Sequence, residues 1–189
     1  MQAVSDEQLI DWVAKGDPSC LGTLFERHHR GVYQFCLQML RDPTQAEDVV
    51  QEVFMKLLRK AGSFRGEGTF KAWMFNIARN AALEHLRNNR RHRNTAPLDE
   101  MAKSQLVDHH SAEQAAAGAQ NIKLLEKALS SLPAPFQEVI WLGRFEFATF
   151  EELGQALGCK AGTARVRMHR AMQQLNEVFA GMNGDPLNA

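Results

Sequence analysis

The sequence predicts an all-α protein: two small helical domains joined by a flexible linker. Three observations carry this expectation. Apolar residues recur at three-and-four spacing, as in Leu24, Phe25, Val32, Phe35, Cys36 and Met39, and again in Val49, Val50, Val53, Phe54, Leu57 and Leu58. No stretch alternates as a half-buried strand would. Between residues 94 and 120 the periodicity dissolves into NTAPLDEMAKSQLVDHHSAEQAAAGAQ, which is polar, Ala-rich and acidic, a linker with room for transient helix in its Ala tract. These features place one domain at 1–93, a linker at 94–120, a second domain at 121–181 and a fraying tail at 182–189.

The elements follow in order. Ser5 caps a first helix that has Asp6 and Glu7 in its first turn and Leu9, Ile10 and Val13 on its apolar side; Gly16 and Pro18 stop it. Asp42-Pro43-Thr44 separates the next two amphipathic segments, with Asp42 or Thr44 as the cap of the second. The loop AGSFRGEGTF has too many glycines for a helix interior, and a helical pattern resumes over Phe70 to Arg93. Beyond the linker, Ile122, Leu125, Leu129 and Leu132 form one apolar side, and Pro133 and Pro135 start another helix. Thr149 caps a short helix ended by Gly158, and a tight connection through Cys159 and Lys160 leads to a last helix from about Ala161.

Composition excludes several classes. The 189 residues carry 22 Lys and Arg against 22 Asp and Glu, with 44% hydrophobic residues, as in a soluble globular chain. No apolar run approaches the roughly 18 to 20 residues of a membrane span, and the N-terminus has acids where a secretory signal has a basic start; a cytoplasmic chain is expected. Cys20, Cys36 and Cys159 lack paired spacing and read as reduced thiols; no metal, cofactor or enzymatic residue set is expected.

Neutrality hides segregation. In LGCKAGTARVRMHRAMQQL, residues 157–175, Lys160, Arg165, Arg167 and Arg170 stand without an acid. Ala164, Met168, Ala171, Met172 and Leu175 share one side of that helix, while Arg165, His169 and Arg170 point away. Two short helices, a Gly turn and a basic second helix make the helix-turn-helix pattern, in which the second helix enters the DNA major groove. The planar fork of arginine suits guanine edges and phosphates.

The first domain carries a different chemistry. Glu47 and Gln51, like Asp48 and Glu52, sit four apart on the polar side of a helix; that side suits a basic partner or plain solvent. In FKAWMFNIARNAALEHLRNNRRHR, aromatic, amide and cationic groups are interleaved, a pattern suited to an opened nucleic-acid strand, although Trp73 and Phe75 taken singly suit a core better. Phe64 can wall a pocket for a flipped base or anchor its loop to the core.

Taken together, DPTQAEDVVQEVFMKLLRKAGSFRGEGTFKAWMFNIARNAALEHLRNNRR resembles region 2 of bacterial RNA polymerase sigma factors. LPAPFQEVIWLGRFEFATFEELGQALGCKAGTARVRMHRAMQQL resembles their region 4, and the bare linker between them is similar to the extracytoplasmic-function (ECF) class. The resemblance implies an alternative sigma factor that directs core RNA polymerase to promoters. It implies polymerase contacts at Asp48, Gln51 and Glu52 on the clamp helices, and a further contact of the chain at the upstream flap. For the minus-ten element it implies Phe64, Arg65, Trp73, Asn76, Arg79 and Asn80, with Arg87, Arg90 and Arg91 on phosphates. For the minus-thirty-five element it implies Lys160, Thr163, Arg165, Val166, His169 and Arg170. An anti-sigma factor is the expected regulator and a route to the membrane surface without insertion; the acidic linker resembles the segment that threads toward the RNA exit path. Val166, where relatives often carry a small hydroxyl, Ala164, often Val, and Phe147, often Gly, depart from the family pattern. Two competing readings are a free-standing helix-turn-helix regulator, which leaves the glycine loop and acidic helix without use, and a sigma-mimicking interaction module, which needs no DNA-reading arginines.

Overall fold

The computed structural model describes residues 4–93 and 115–183, all helices and short connections with no strand among the described residues. The first four helices are α1 (Asp6–Ala14), α2 (Cys20–Leu40), α3 (Pro43–Lys60) and α4 (Phe70–Arg93). The second group is α5 (Ala115–Ser131), α6 (Ala134–Trp141), α7 (Phe150–Leu157) and α8 (Ala161–Asn183).

The caps are those that local chemistry dictates. Ser5 and Gln8 form a reciprocal capping box on α1, and the Asp42 side chain accepts from the Gln45 amide at the start of α3. Thr69 Oγ1 accepts from the Ala72 amide of α4. A carboxylate oxygen of Glu7, on α1, accepts from the Phe70 amide at 3.0 Å, so α1 helps to fix where α4 begins. Asp6 holds α1 to α2 through Arg27 and His28, each at 2.6 Å.

Two helix ends differ from the sequence expectation. Helix α5 begins at Ala115, inside the stretch read as linker, because its Ala tract has high helix propensity and only Gly118 opposes it. Helix α8 continues to Asn183, past the expected end at 181, and Val178, Phe179 and Met182 pack against the core along the way. The rest of the linker and tail, at 94–114 and 184–189, lies outside the described residues.

The first core is built where α2, α3 and α4 converge. Leu24, Val32, Phe35, Val53, Leu57 and Phe70 are all buried there. On α4 the buried side is largely small, with Ala72, Ala78, Ala81 and Ala82 inaccessible to solvent, which lets its backbone approach its neighbours closely. In the second group, the helix-turn-helix closes on Gly154 and Gly158. A side chain at Gly154 would meet the Cys159 carbonyl at 2.7 Å, and Gly158 ends α7 at φ 65°, the left-handed conformation glycine tolerates.

Cys36 is fully buried in the first core, and burial pushes its thiol up to about 12 from 9.0. Its pKa is raised in the folded chain, so its stabilising contribution is complete below pH 9.0 and is lost as pH rises toward about 12. Denaturant melts should show the wild-type chain losing stability relative to Cys36→Ala across that window, on the order of 1.4 kcal/mol per pH unit. Parallel curves would contradict this.

Candidate functional site

Between the end of α3 and the outer side of α4 lies an open recess of about 310 Å³, lined by Lys56, Lys60, Ser63, Trp73, Asn76, Ile77, Asn80 and Glu84. Trp73, Asn76 and Asn80 recur at helical spacing on α4 and bring the half-buried indole, packed on Phe64 and Phe70, and two amides to its lining. Lys56 and Lys60, four apart on α3, add two cations that the sequence reading missed; only the packing of α3 on α4 brings them to this recess. Burial pulls the Lys56 ammonium down, but Glu52 at 2.5 Å and Glu84 at 3.4 Å outweigh it and hold its pKa above the ordinary lysine value. Lys56 is therefore a permanent cation at physiological pH.

Phe64 lies half-buried, its ring 5.3 Å from Trp73 and 6.3 Å from Phe70. The ring packs as a loop anchor would, and it also borders the Trp73 ring, which lines the recess. Arg65 and Arg87 are exposed; Arg90 and Arg91 belong to the last turn of α4, and their side chains lie outside the described residues.

Asp48, Gln51 and Glu52 are exposed together on α3. Met55, one turn on, and Leu58 are exposed beside them, as is Phe25 of α2, stacked on His29. An acidic edge next to exposed apolar side chains is the composition of a protein-docking surface rather than of a plain wet face. The periodic pattern counts Phe25 and Leu58 among the core residues and does not include Met55, which falls on the polar side three, four and seven positions after Glu52, Gln51 and Asp48.

On α8, Ala164, Ala171 and Leu175 are buried, whereas Lys160, before its first turn, and Thr163, Arg165, Val166, His169 and Arg170 are exposed. The Arg165 guanidinium lies 5.1 Å from the centre of the Phe150 ring, which orients its fork along the helix-turn-helix. Half of the Val166 side is open to solvent, an apolar contact available to a thymine methyl.

The two helical groups meet on α4. Arg79 makes a bidentate pair with Glu138 of α6, Nε and Nη2 each 2.9 Å from a carboxylate oxygen, and the Glu138 side chain is only 2% exposed. Asn76 Nδ2 donates to the carbonyls of Gln155 and Ala156 at the end of α7, both at 3.2 Å. A π turn at Leu142–Glu146 widens the chain after α6 and delivers Glu146 and Phe147 to α4. Lys71 Nζ there reaches the Glu146 carboxylate at 2.6 Å and its carbonyl at 2.9 Å, and Phe147 meets Phe75 edge-on at 5.6 Å. Trp141 inserts beside Phe35 and Phe75.

Residues 24–92 match the family model described as Sigma-70 region 2, and residues 128–177 match Sigma-70, region 4. The chain is 32% identical over 159 residues to the RNA polymerase sigma factor CarQ of Myxococcus xanthus, covering 82% of this chain and 87% of that one. It is 31% identical over 170 residues to the ECF RNA polymerase sigma factor SigE of Mycolicibacterium smegmatis, covering 88% and 65% of the two chains. The solved structure of the sigma factor RpoE from Bartonella quintana, in complex with the anti-sigma factor NepR, superposes with a TM-score of 0.64 at 26% identity, over 83% of this chain and 94% of that one. The chain belongs to the RNA polymerase sigma factors, in their extracytoplasmic-function class. Among the described residues no helix is long and apolar enough to cross a membrane.

Replacing Phe64 by Ala should free the glycine loop at a cost of about 1–3 kcal/mol, less than a fully buried Phe would lose. Trypsin cleavage after Arg65 should then accelerate in the folded chain; an unchanged cleavage rate would show that the ring does not hold the loop.

Proposed function

We propose that this chain binds core RNA polymerase and directs initiation at a two-part promoter. In this reading α8 enters the major groove of the minus-thirty-five element. Arg165, Val166, His169 and Arg170 face the bases, with Lys160 and Thr163 at the entrance. The recess and loop of the first domain hold the melted minus-ten strand, with Phe64, Arg65, Trp73, Asn76, Arg79 and Asn80 at the bases and Arg87, Arg90 and Arg91 on phosphates. Lys56 and Lys60 join that set. Asp48, Gln51 and Glu52, with Met55 beside them, dock on the polymerase clamp helices, and the second domain contacts the upstream flap. Helices α1 to α4 serve as the region 2 unit and α5 to α8 as the region 4 unit, with residues 94–114 connecting them in sequence.

One observation carries the reading: a single chain presents two separate surfaces of nucleic-acid chemistry. The α8 side is cationic and projects like a duplex reader. The α4 recess combines an indole, amides and lysines, the equipment for stacking and holding an unpaired strand. No covalent chemistry is involved; binding free energy offsets the cost of melting, at about 1–3 kcal/mol for each stacked base. The relative RpoE was crystallised with an anti-sigma factor, which supports a regulator of that type for this chain. In this reading the chain is cytoplasmic and a membrane-bound regulator of that type would hold it at the membrane surface.

Arg165→Ala should weaken protection of the upstream element by about 1–3 kcal/mol in a holoenzyme footprint while core-polymerase capture is unchanged. An unaltered upstream footprint would refute the assignment of α8. Asn80→Ala should instead leave closed-complex formation intact and reduce permanganate reactivity of melted thymines. Equal reactivity in variant and wild type would remove Asn80 from the strand-holding surface.

A further inference from the structure

We propose that Glu7 of α1 is a positioning residue for the minus-ten strand: from a helix to which no DNA contact is assigned, it sets the geometry of the glycine loop and of Trp73. The inference rests on the reading of the recess and loop as the strand-holding surface. Helix α4 begins at Phe70, whose amide is one of the first-turn donors that a helix cannot satisfy internally. Thr69 serves the neighbouring amides, its Oγ1 accepting from Ala72 and its carbonyl from Trp73. The Phe70 amide donates instead to a Glu7 carboxylate oxygen, sixty-three positions earlier, at 3.0 Å. A carboxylate at that end is favoured both as a charged acceptor and by the helix dipole.

Phe70 passes this constraint on. Its ring is fully buried and lies 5.7 Å from that of His28 on α2, 6.3 Å from Phe64 and 6.1 Å from Trp73. Phe64 and Trp73 are the aromatic groups that the reading gives to the strand. Between Phe64 and Phe70 the loop turns through Gly66 and Gly68, at φ 70° and 95°, and every residue from Arg65 to Gly68 is exposed. The loop is therefore held only at its two ends, and the end that runs into α4 is fixed by Glu7 and the Phe70 ring. Helix α1 is itself seated from the other side: Asp6 meets Arg27 and His28 of α2, each at 2.6 Å, and Leu9, Ile10 and Val13 are buried.

Charge alone predicts the opposite sign of effect. Glu7 is an exposed anion on the domain assigned to a polyanionic strand, so by its field its removal should strengthen strand binding. As a positioning group its loss weakens that binding. Glutamine separates the two, because its side-chain oxygen accepts the same amide proton without carrying the charge.

The test uses holoenzyme assembled from the full chain, on a promoter fragment that the wild type opens. Glu7→Ala should reduce permanganate reactivity of the melted thymines about tenfold, with core-polymerase capture and the upstream footprint unchanged, and Glu7→Gln should keep about a third of the wild-type reactivity or more. In the chain alone, hydrogen exchange of the Phe70 amide should accelerate in Glu7→Ala and stay protected in Glu7→Gln. Wild-type reactivity in Glu7→Ala, or a loss in Glu7→Gln as large as that in Glu7→Ala, overturns the positioning role. So does a loss of core capture in Glu7→Ala, which would make the defect one of the whole fold. In each of these cases an Asn80→Ala chain that still loses reactivity leaves the strand surface standing. An Asn80→Ala chain as reactive as the wild type removes that surface, and the positioning role with it.

Discussion

Helix α4 has two sides, and the structure uses both. Its small side, with Ala78, Ala81 and Ala82, packs into the first core, and its polar side receives the second domain through Asn76 and Arg79. Several features are arranged around that helix. Glu7 and Thr69 fix its start, α3 brings Lys56 and Lys60 alongside it, and Phe64 props the loop that precedes it. Asn76 and Arg79 are engaged by α7 and α6, while the recess lined by Lys56, Lys60, Trp73 and Asn80 and the acidic edge of α3 stay open.

The zero net charge of the chain follows from this division. Cations are concentrated on α4 and α8, where the proposed partners are nucleic acids. Acids are placed on α3, where the proposed partner is polymerase, and on α6 and the following π turn, where they meet α4. Fields of opposite sign on separate surfaces steer different partners without a net charge to attract either unspecifically.

Much of this was legible in the sequence, and the rest was not for identifiable reasons. Caps at Ser5 and Thr149 and the stop at Gly158 are local chemistry that the structure carries, and of Asp42 and Thr44 it is Asp42 that caps α3. The basic side of α8 follows from three-and-four spacing, because a helix that packs on one side must expose the other. Three things resisted. Lys56 and Lys60 gain meaning only from the packing of α3 on α4. Phe25 and Leu58 look like core because periodicity does not say how wide the buried stripe is. Glu138, almost fully buried, sits in an ordinary helical pattern and owes its burial to Arg79, fifty-nine positions earlier. Phe147 is an intermediate case: the sequence marks it as a departure from the family pattern, and the structure supplies its partner, Phe75.

The proposed two-part promoter recognition by one chain is tested most directly by run-off transcription. Core RNA polymerase would be supplied with the full chain on a library of genomic promoter fragments. The account predicts start sites absent with core alone, preceded by two short elements at constant spacing. A set of start sites no larger than that of core polymerase alone would contradict it.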